Sequence, residues 1–213
     1  MSASGGSDAD SVFGTMSFHE WLGAVAAKSP TPGGGAVASA VGALSASLAG
    51  MVVAYSVGKK SLAAHQDALA DAARTLERAR ALMLALADED ARAYGTVNTL
   101  SRLPEGDPGR AGLASAMEAA VRAPMATIAA SVDLLRLMLR LAPITNTHLH
   151  SDLGIAADLA LASARSSLWN VRVNAGALPG GAGDAAVREA RAMIAAGEAL
   201  HADVCRSCGG GTP

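Results

Sequence analysis

Apolar positions along this chain recur at helical intervals rather than in strict alternation. Ser17 with Glu20 makes a capping-box pattern, and Phe18, Trp21, Leu22 and Val25 then share one face of a helix ending near Lys28. A nearly all-apolar stretch of small residues runs from Ala36 to about Val57, with Gly42, Gly50 and Gly58 spaced by eight. Glycine inside a helix costs about 1 kcal/mol relative to alanine, so these three predict close backbone contacts. Helical spacing resumes from Leu62 to about Leu100 through Leu69, Ala73, Leu76, Arg80, Met83 and Ala87. A further helix spans Arg110 to Leu141, and Pro124 within it must kink or divide it. Ser151 is placed to cap a helix reaching about Asn174, and Asp184 opens a last one to about Val204. The pattern predicts an all-α bundle of five to six helices, kinked at Pro124. It occupies residues 17–204, between a flexible leader (1–16) and a flexible tail (205–213).

Composition sharpens this picture. Fifty of the 213 residues are alanine and only 3% are aromatic, which argues against a β-rich fold. The hydrophobic share of 51% excludes a disordered chain. Lys+Arg 17 against Asp+Glu 19 leaves a net charge of −2, without the basic excess that nucleic-acid binding requires. The N-terminus has neither the basic start nor the apolar run of a secretory signal. Residues 36–57 are long and apolar enough to raise the question of a membrane span. Their small side chains, with no aromatic belt beyond Tyr55, favour a buried core helix and no membrane partner. Cys205 and Cys208 form a Cys-x-x-Cys pair one turn after His201, but no second pair completes a tetrahedral metal site. The expectation is free thiols in a tail and a reducing, cytoplasmic setting.

Several polar clusters interrupt the apolar pattern. The run Ser29-Pro30-Thr31-Pro32-Gly33-Gly34-Gly35 stands directly before a helix, where backbone N–H groups and the dipole favour a ligand with negative charge. The glycines open conformations closed to other residues, and three of them exceed what a tight turn needs. The run lacks the Gly-Lys-Ser/Thr ending of a nucleotide-binding P-loop. Lys59 and Lys60 either serve the C-terminus of the same helix or hold a substrate carboxylate or phosphate. In Asp88-Glu89-Asp90 at most two carboxylates can face inwards, and Arg92 is spaced to pair with Asp88 or Glu89. A buried Asp90 would be a candidate base or ligand anchor. Asn146, His148, His150, Ser151 and Asp152 crowd a loop-to-helix junction, where the histidines lack a third ligand for a metal. Asn170 and Asn174 share a helix face and need partners if buried.

Taken in order, these elements resemble the cyclodeaminase/methenyltetrahydrofolate cyclohydrolase family, which includes the C-terminal domain of formiminotransferase-cyclodeaminase. The resemblance is carried by Ser29–Gly35, Gly58-Lys59-Lys60, Asp88-Glu89-Asp90-Ala91, Val121-Arg122-Ala123-Pro124, Asn146 with Ser151–Gly154, and Asn170–Asn174. It covers about residues 17–200, and departs at Ala36 and at Ser61-Leu62-Ala63, where the family favours serine and tyrosine.

The resemblance implies a homodimeric folate enzyme that needs no metal or other cofactor. It would hydrolyse 5,10-methenyltetrahydrofolate to the 10-formyl form, or cyclise 5-formiminotetrahydrofolate with release of ammonia. On this reading Asp90 or Asp152 moves protons or anchors the pterin, and Lys59 and Lys60 take the glutamate tail. Pro32, Gly33, Gly34 and Gly35 bring the backbone to the ligand, and Asn146, Asn170 and Asn174 orient it. The alternative is a helical binding module of the same fold without folate catalysis.

Overall fold

A computed structural model describes residues 12–209 of the chain. Among them there is no strand, and the helices are α1 (Val12–Thr15), α2 (Phe18–Ala26), α3 (Gly34–Ala54), α4 (Gln66–Ser101), α5 (Leu113–Leu141), α6 (His150–Ala175) and α7 (Ala182–Ser207). Apart from the single turn α1, which rests on α4, these are the expected six helices of an all-α bundle. The first eleven residues of the expected leader, and residues 210–213 of the expected tail, lie outside the described residues.

Helix α3 is central: it packs between α4 and α6, while α5 closes against α4 and α6, and α7 against α5 and α6. It is long and apolar enough to cross a membrane, yet eleven of its residues are buried within the bundle. Its small side chains let neighbours come close, and buried hydroxyls bridge the contacts. Ser163 Oγ donates to the Ala38 carbonyl (2.7 Å) and Ser45 Oγ to the Ala156 carbonyl (2.7 Å). Ser39 and Thr127 share a 2.9 Å hydrogen bond. These pairings set α3 and α6 antiparallel, so the start of α3 meets the end of α6. The core proper is aliphatic, with Leu69, Leu76, Met83, Leu135, Met138 and Leu153 almost fully enclosed.

Several expectations change. Of the three glycines spaced by eight, only Gly42 is a close contact: a Cβ there would lie 2.8 Å from Met83 and 3.0 Å from Ser163. Gly50 has open space, and Gly58 ends the α3 segment at φ 77°, a left-handed position that favours glycine. Pro124 does not divide its helix, since α5 runs through it. Helix α6 begins at His150, so Ser151 is not its cap; Asn146 instead caps the short 3₁₀ turn Thr147–Leu149. Helix α7 continues past Val204 through Cys205 to Ser207, so both helix and thiols extend into the segment expected to be tail. The Ser17–Glu20 capping box forms, with reciprocal bonds of 2.8 and 3.2 Å. Phe18 and Leu22 nevertheless stay exposed, because among the described residues no other element covers that face of α2.

A glycine pressed against backbone gives a stability test. A Cβ on Gly183 would sit 2.1 Å from the Ala175 carbonyl oxygen, a backbone atom that cannot swing aside. Gly183→Ala should cost about 2–4 kcal/mol, whereas Gly95→Ala, in open space on α4, should gain up to about 1 kcal/mol. Denaturant midpoints measured side by side check both signs.

Candidate functional site

A cavity of about 350 Å³ opens where the start of α3 meets the middle of α4 and the end of α6. Gly33, Gly34, Gly35, Asp90, Asn170 and Asn174 all line it. Six residues from three separated stretches of sequence thus converge on one space of a size suited to a small ligand.

The glycine run serves this site through close approach rather than unusual backbone angles. Gly33 is extended (φ −110°, ψ −164°), and none of Gly33, Gly34 or Gly35 has positive φ. A Cβ on Gly35 would fall 2.1 Å from Asp90 Oδ1 and 2.3 Å from its Oδ2. The Asp90 carboxylate therefore occupies the space that any larger residue at 35 would fill. From there it accepts the backbone N–H of Ala36, in the first turn of α3. That N–H belongs to the group with no partner inside its own helix, and the positive end of the dipole favours a carboxylate beside it. Burial nonetheless pushes the Asp90 pKa above the ordinary carboxylate range; the Ala36 bond pulls it back only in part.

The two asparagines divide their work. Pro124 lacks an N–H, which leaves the Ala120 carbonyl four residues earlier without its helical partner. Asn174 Nδ2 donates to that carbonyl at 2.7 Å, and Ala120 lines the cavity beside it. Asn170, one turn earlier, reaches the cavity near Gly34, where its Oδ1 stands 4.0 Å from where a Gly34 Cβ would be. Glu89 takes the ion pair with Arg92 (3.0 Å) on the exposed side of α4.

The remaining expected site residues lie elsewhere. Pro32 is buried beneath the loop, and Pro30 and Thr31 line the cavity in its place. Lys59, Lys60, Asn146 and Asp152 gather at the opposite end of α3 and the start of α6. The Asn146 N–H donates to Ser56 Oγ (2.9 Å), which in turn donates to the Val52 carbonyl (2.7 Å). Along the 21 residues of α3 this second group stands about 30 Å from the cavity at 1.5 Å per residue. His150 Nε2 is held 3.1 Å from the Ala142 carbonyl. Sequence reasoning missed Tyr94, Val97 and Val173, which also line the cavity. Helical offset from Asp90 and Asn170 was the available signal, since residues three and four apart share a face.

A model for the family described as formiminotransferase-cyclodeaminase matches residues 17–193. A methenyltetrahydrofolate cyclohydrolase of Methylorubrum extorquens is 30% identical over 197 residues, 88% of this chain and 93% of that one. A formimidoyltransferase-cyclodeaminase of Rattus norvegicus is 30% identical over 155 residues, 70% of this chain but 29% of its own length. The crystal structure of a formiminotetrahydrofolate cyclodeaminase from Thermotoga maritima superimposes with a TM-score of 0.84 at 30% identity, covering 92% of this chain and 96% of that one.

The raised Asp90 pKa fixes the sign of a stability effect. The folded state favours the protonated acid, so its contribution is fully present below the ordinary carboxylate pKa and lost as pH rises through the elevated one. Asp90→Asn keeps an acceptor for the Ala36 N–H and carries no charge to desolvate. Relative to wild type, the variant should gain thermal stability as pH rises through that range. Melting temperatures from pH 4 to 8 check this, and a variant that loses ground with rising pH contradicts it.

Proposed function

The chain belongs to the formiminotransferase-cyclodeaminase family, and on that footing we propose that it is an enzyme of folate-borne one-carbon units. It either hydrolyses 5,10-methenyltetrahydrofolate to 10-formyltetrahydrofolate or cyclises 5-formiminotetrahydrofolate with release of ammonia. The observation that carries this reading is the Asp90 carboxylate, seated in a cavity walled by glycine backbone and two side-chain amides.

In the hydrolytic direction, water adds to the methenyl carbon as Asp90 accepts its proton. The resulting tetrahedral carbon loses its bond to N5, which takes that proton back. The hydroxyl releases its own proton to solvent as the N10-formyl C=O forms, so the positive charge of the methenyl substrate leaves as this proton. In cyclisation N10 adds to the formimino carbon and loses a proton, and the departing amino group takes one to leave as ammonia. Both steps move protons and no electrons, so the folate is substrate and no redox cofactor enters. A carboxylate held partly desolvated is a stronger base than one in water, which suits it to this transfer. The free Oδ1 of Asn174 and the amide of Asn170 match the donor and acceptor edge of a pterin.

In this reading the second polar cluster acts across a subunit junction. Helix α3 carries no charged residue, and its outward face leaves Leu44 49% exposed beside an apolar groove of about 300 Å³ shared with Phe18 and Trp21. A two-fold antiparallel pairing along α3 would cover this face. It would also bring Lys59, Lys60, Asn146 and Asp152 of one subunit towards the Asp90 cavity of the other, with the lysines meeting the glutamate tail. The unpaired cysteines fit a reducing cytoplasmic setting.

Purified protein should bleach the methenyl-folate chromophore or release ammonia from formimino-folate. Asp90→Asn should lower that turnover about 10²–10⁴-fold. Gly35→Ala should approach the same loss by evicting the carboxylate, while Gly34→Ala, with room for a methyl, should lose far less. Folate binding without either turnover in wild type would favour the binding-module reading. A charge on the outward face of α3, as in Leu44→Arg, should yield monomers by sedimentation and lose turnover in parallel.

A further inference from the structure

We propose that Asp158, His201 and Cys205 form a binding site for a divalent cation of the zinc class, which fastens the last turns of α7 to α6. The site is independent of the folate cavity: Asp158 precedes Asn170 by twelve residues on α6, about 18 Å at 1.5 Å per residue.

His201 and Cys205 lie four apart on one face of α7, and Asp158 meets them from the middle of α6. Their ligand atoms, one carboxylate oxygen, one imidazole nitrogen and one thiol sulfur, all fall within 4.8 Å of one another. His201 Nε2 is 3.6 Å from Cys205 Sγ and 2.5 Å from Asp158 Oδ1. Tetrahedral zinc, with bonds of about 2.0–2.3 Å, sets nitrogen and sulfur roughly 3.6 Å apart and nitrogen and oxygen roughly 3.3 Å apart. The nitrogen–sulfur pair already has that spacing. The carboxylate need only open by somewhat under ~1 Å, and Asp158, 67% exposed, is free to do so.

The chemistry of the cluster points the same way. A single imidazole nitrogen presents one N–H or one lone pair, so Nε2 cannot satisfy both the carboxylate and the thiol as a hydrogen-bonding centre. A cation at the centre of the triangle satisfies all three. The oxygen, nitrogen and sulfur set excludes magnesium and calcium, which take oxygen ligands, and suits the borderline zinc ion. His201 is only 20% exposed, so its ring is already held in place. The Arg165–Glu198 pair (2.7 Å) bridges the same two helices one turn earlier on α7 and two turns later on α6, in register with the antiparallel contact that brings the triangle together. The fourth position is open to water.

The full chain, reduced and stripped with chelator, should take up one equivalent of Zn²⁺ in competition with a chromophoric chelator. Co²⁺ should give a thiolate-to-metal charge-transfer band with the intense d–d bands of a four-coordinate ion. Cys205→Ser should abolish that band and Cys208→Ser should keep it. His201→Ala and Asp158→Asn should each weaken zinc binding at least about tenfold. Zinc should raise the melting temperature of wild type but not of Cys205→Ser. Circular dichroism of each variant confirms that the helices form. Absence of stoichiometric uptake, a charge-transfer band that survives Cys205→Ser, or affinity unmoved by His201→Ala would overturn the site.

Discussion

The contact between the Asp90 carboxylate and the first turn of α3 organises this molecule. A carboxylate drawn out of water needs a partner, and a helix start has N–H groups that need an acceptor. Here each meets the other's need across two helices, through the Ala36 N–H. The contact exists only because position 35 has no side chain, since even one methyl would collide with all three carboxyl atoms. Capping α3, packing α4 against it and presenting a partly desolvated base to the cavity are therefore one structural event. Burial outweighs the hydrogen bond in setting the carboxyl's proton affinity, so the group is stabilised enough to stay in place without losing its basicity.

A second local defect builds the opposite wall. Pro124 deprives Ala120 of its helical hydrogen bond, and an unpaired carbonyl in a half-buried place is costly. The Asn174 amide closes that gap at 2.7 Å, which ties α6 to α5 at the rim of the cavity. The tie also orients the amide: one N–H is committed to Ala120, and the oxygen and the second N–H remain for a ligand. Proline inside a long helix, which in isolation reads as a break, is here the reason a polar group stands where it does.

Much of this was legible in the sequence, and the limits have physical causes. Helical periodicity and the Ser17–Glu20 box gave the helices, because those signals are local. The convergence of Gly33–Gly35, Asp90, Asn170 and Asn174 followed from the family resemblance rather than from spacing. The motive for the glycines did not follow: φ values and the carboxylate at 35 are facts of tertiary contact. Nor did the separation of Lys59, Lys60, Asn146 and Asp152 from the cavity, since a list of motif residues carries no distances. Tyr94 and Val173 were hidden for the opposite reason, as ordinary residues at helical offsets from unusual ones. The C-terminal cysteines were misplaced by composition, because the glycines after Cys208 suggested fraying one turn too early.

Helix α3 shows how several constraints share one segment. Its inner face must be small, because Ser163 and Met83 approach its backbone closely and its own Ser45 reaches the Ala156 carbonyl of α6. Its first turn must omit a side chain for Asp90. Its outer face has neither duty, yet it remains apolar at Leu44 and open at Gly50. A solvated helix has no reason to keep that composition: polar residues there would lose nothing in packing and gain solubility. The economical account is that the outer face is also an inner one, buried in the proposed pair of chains. The same pairing would supply the Asp90 cavity with the cations that its own chain holds about 30 Å away.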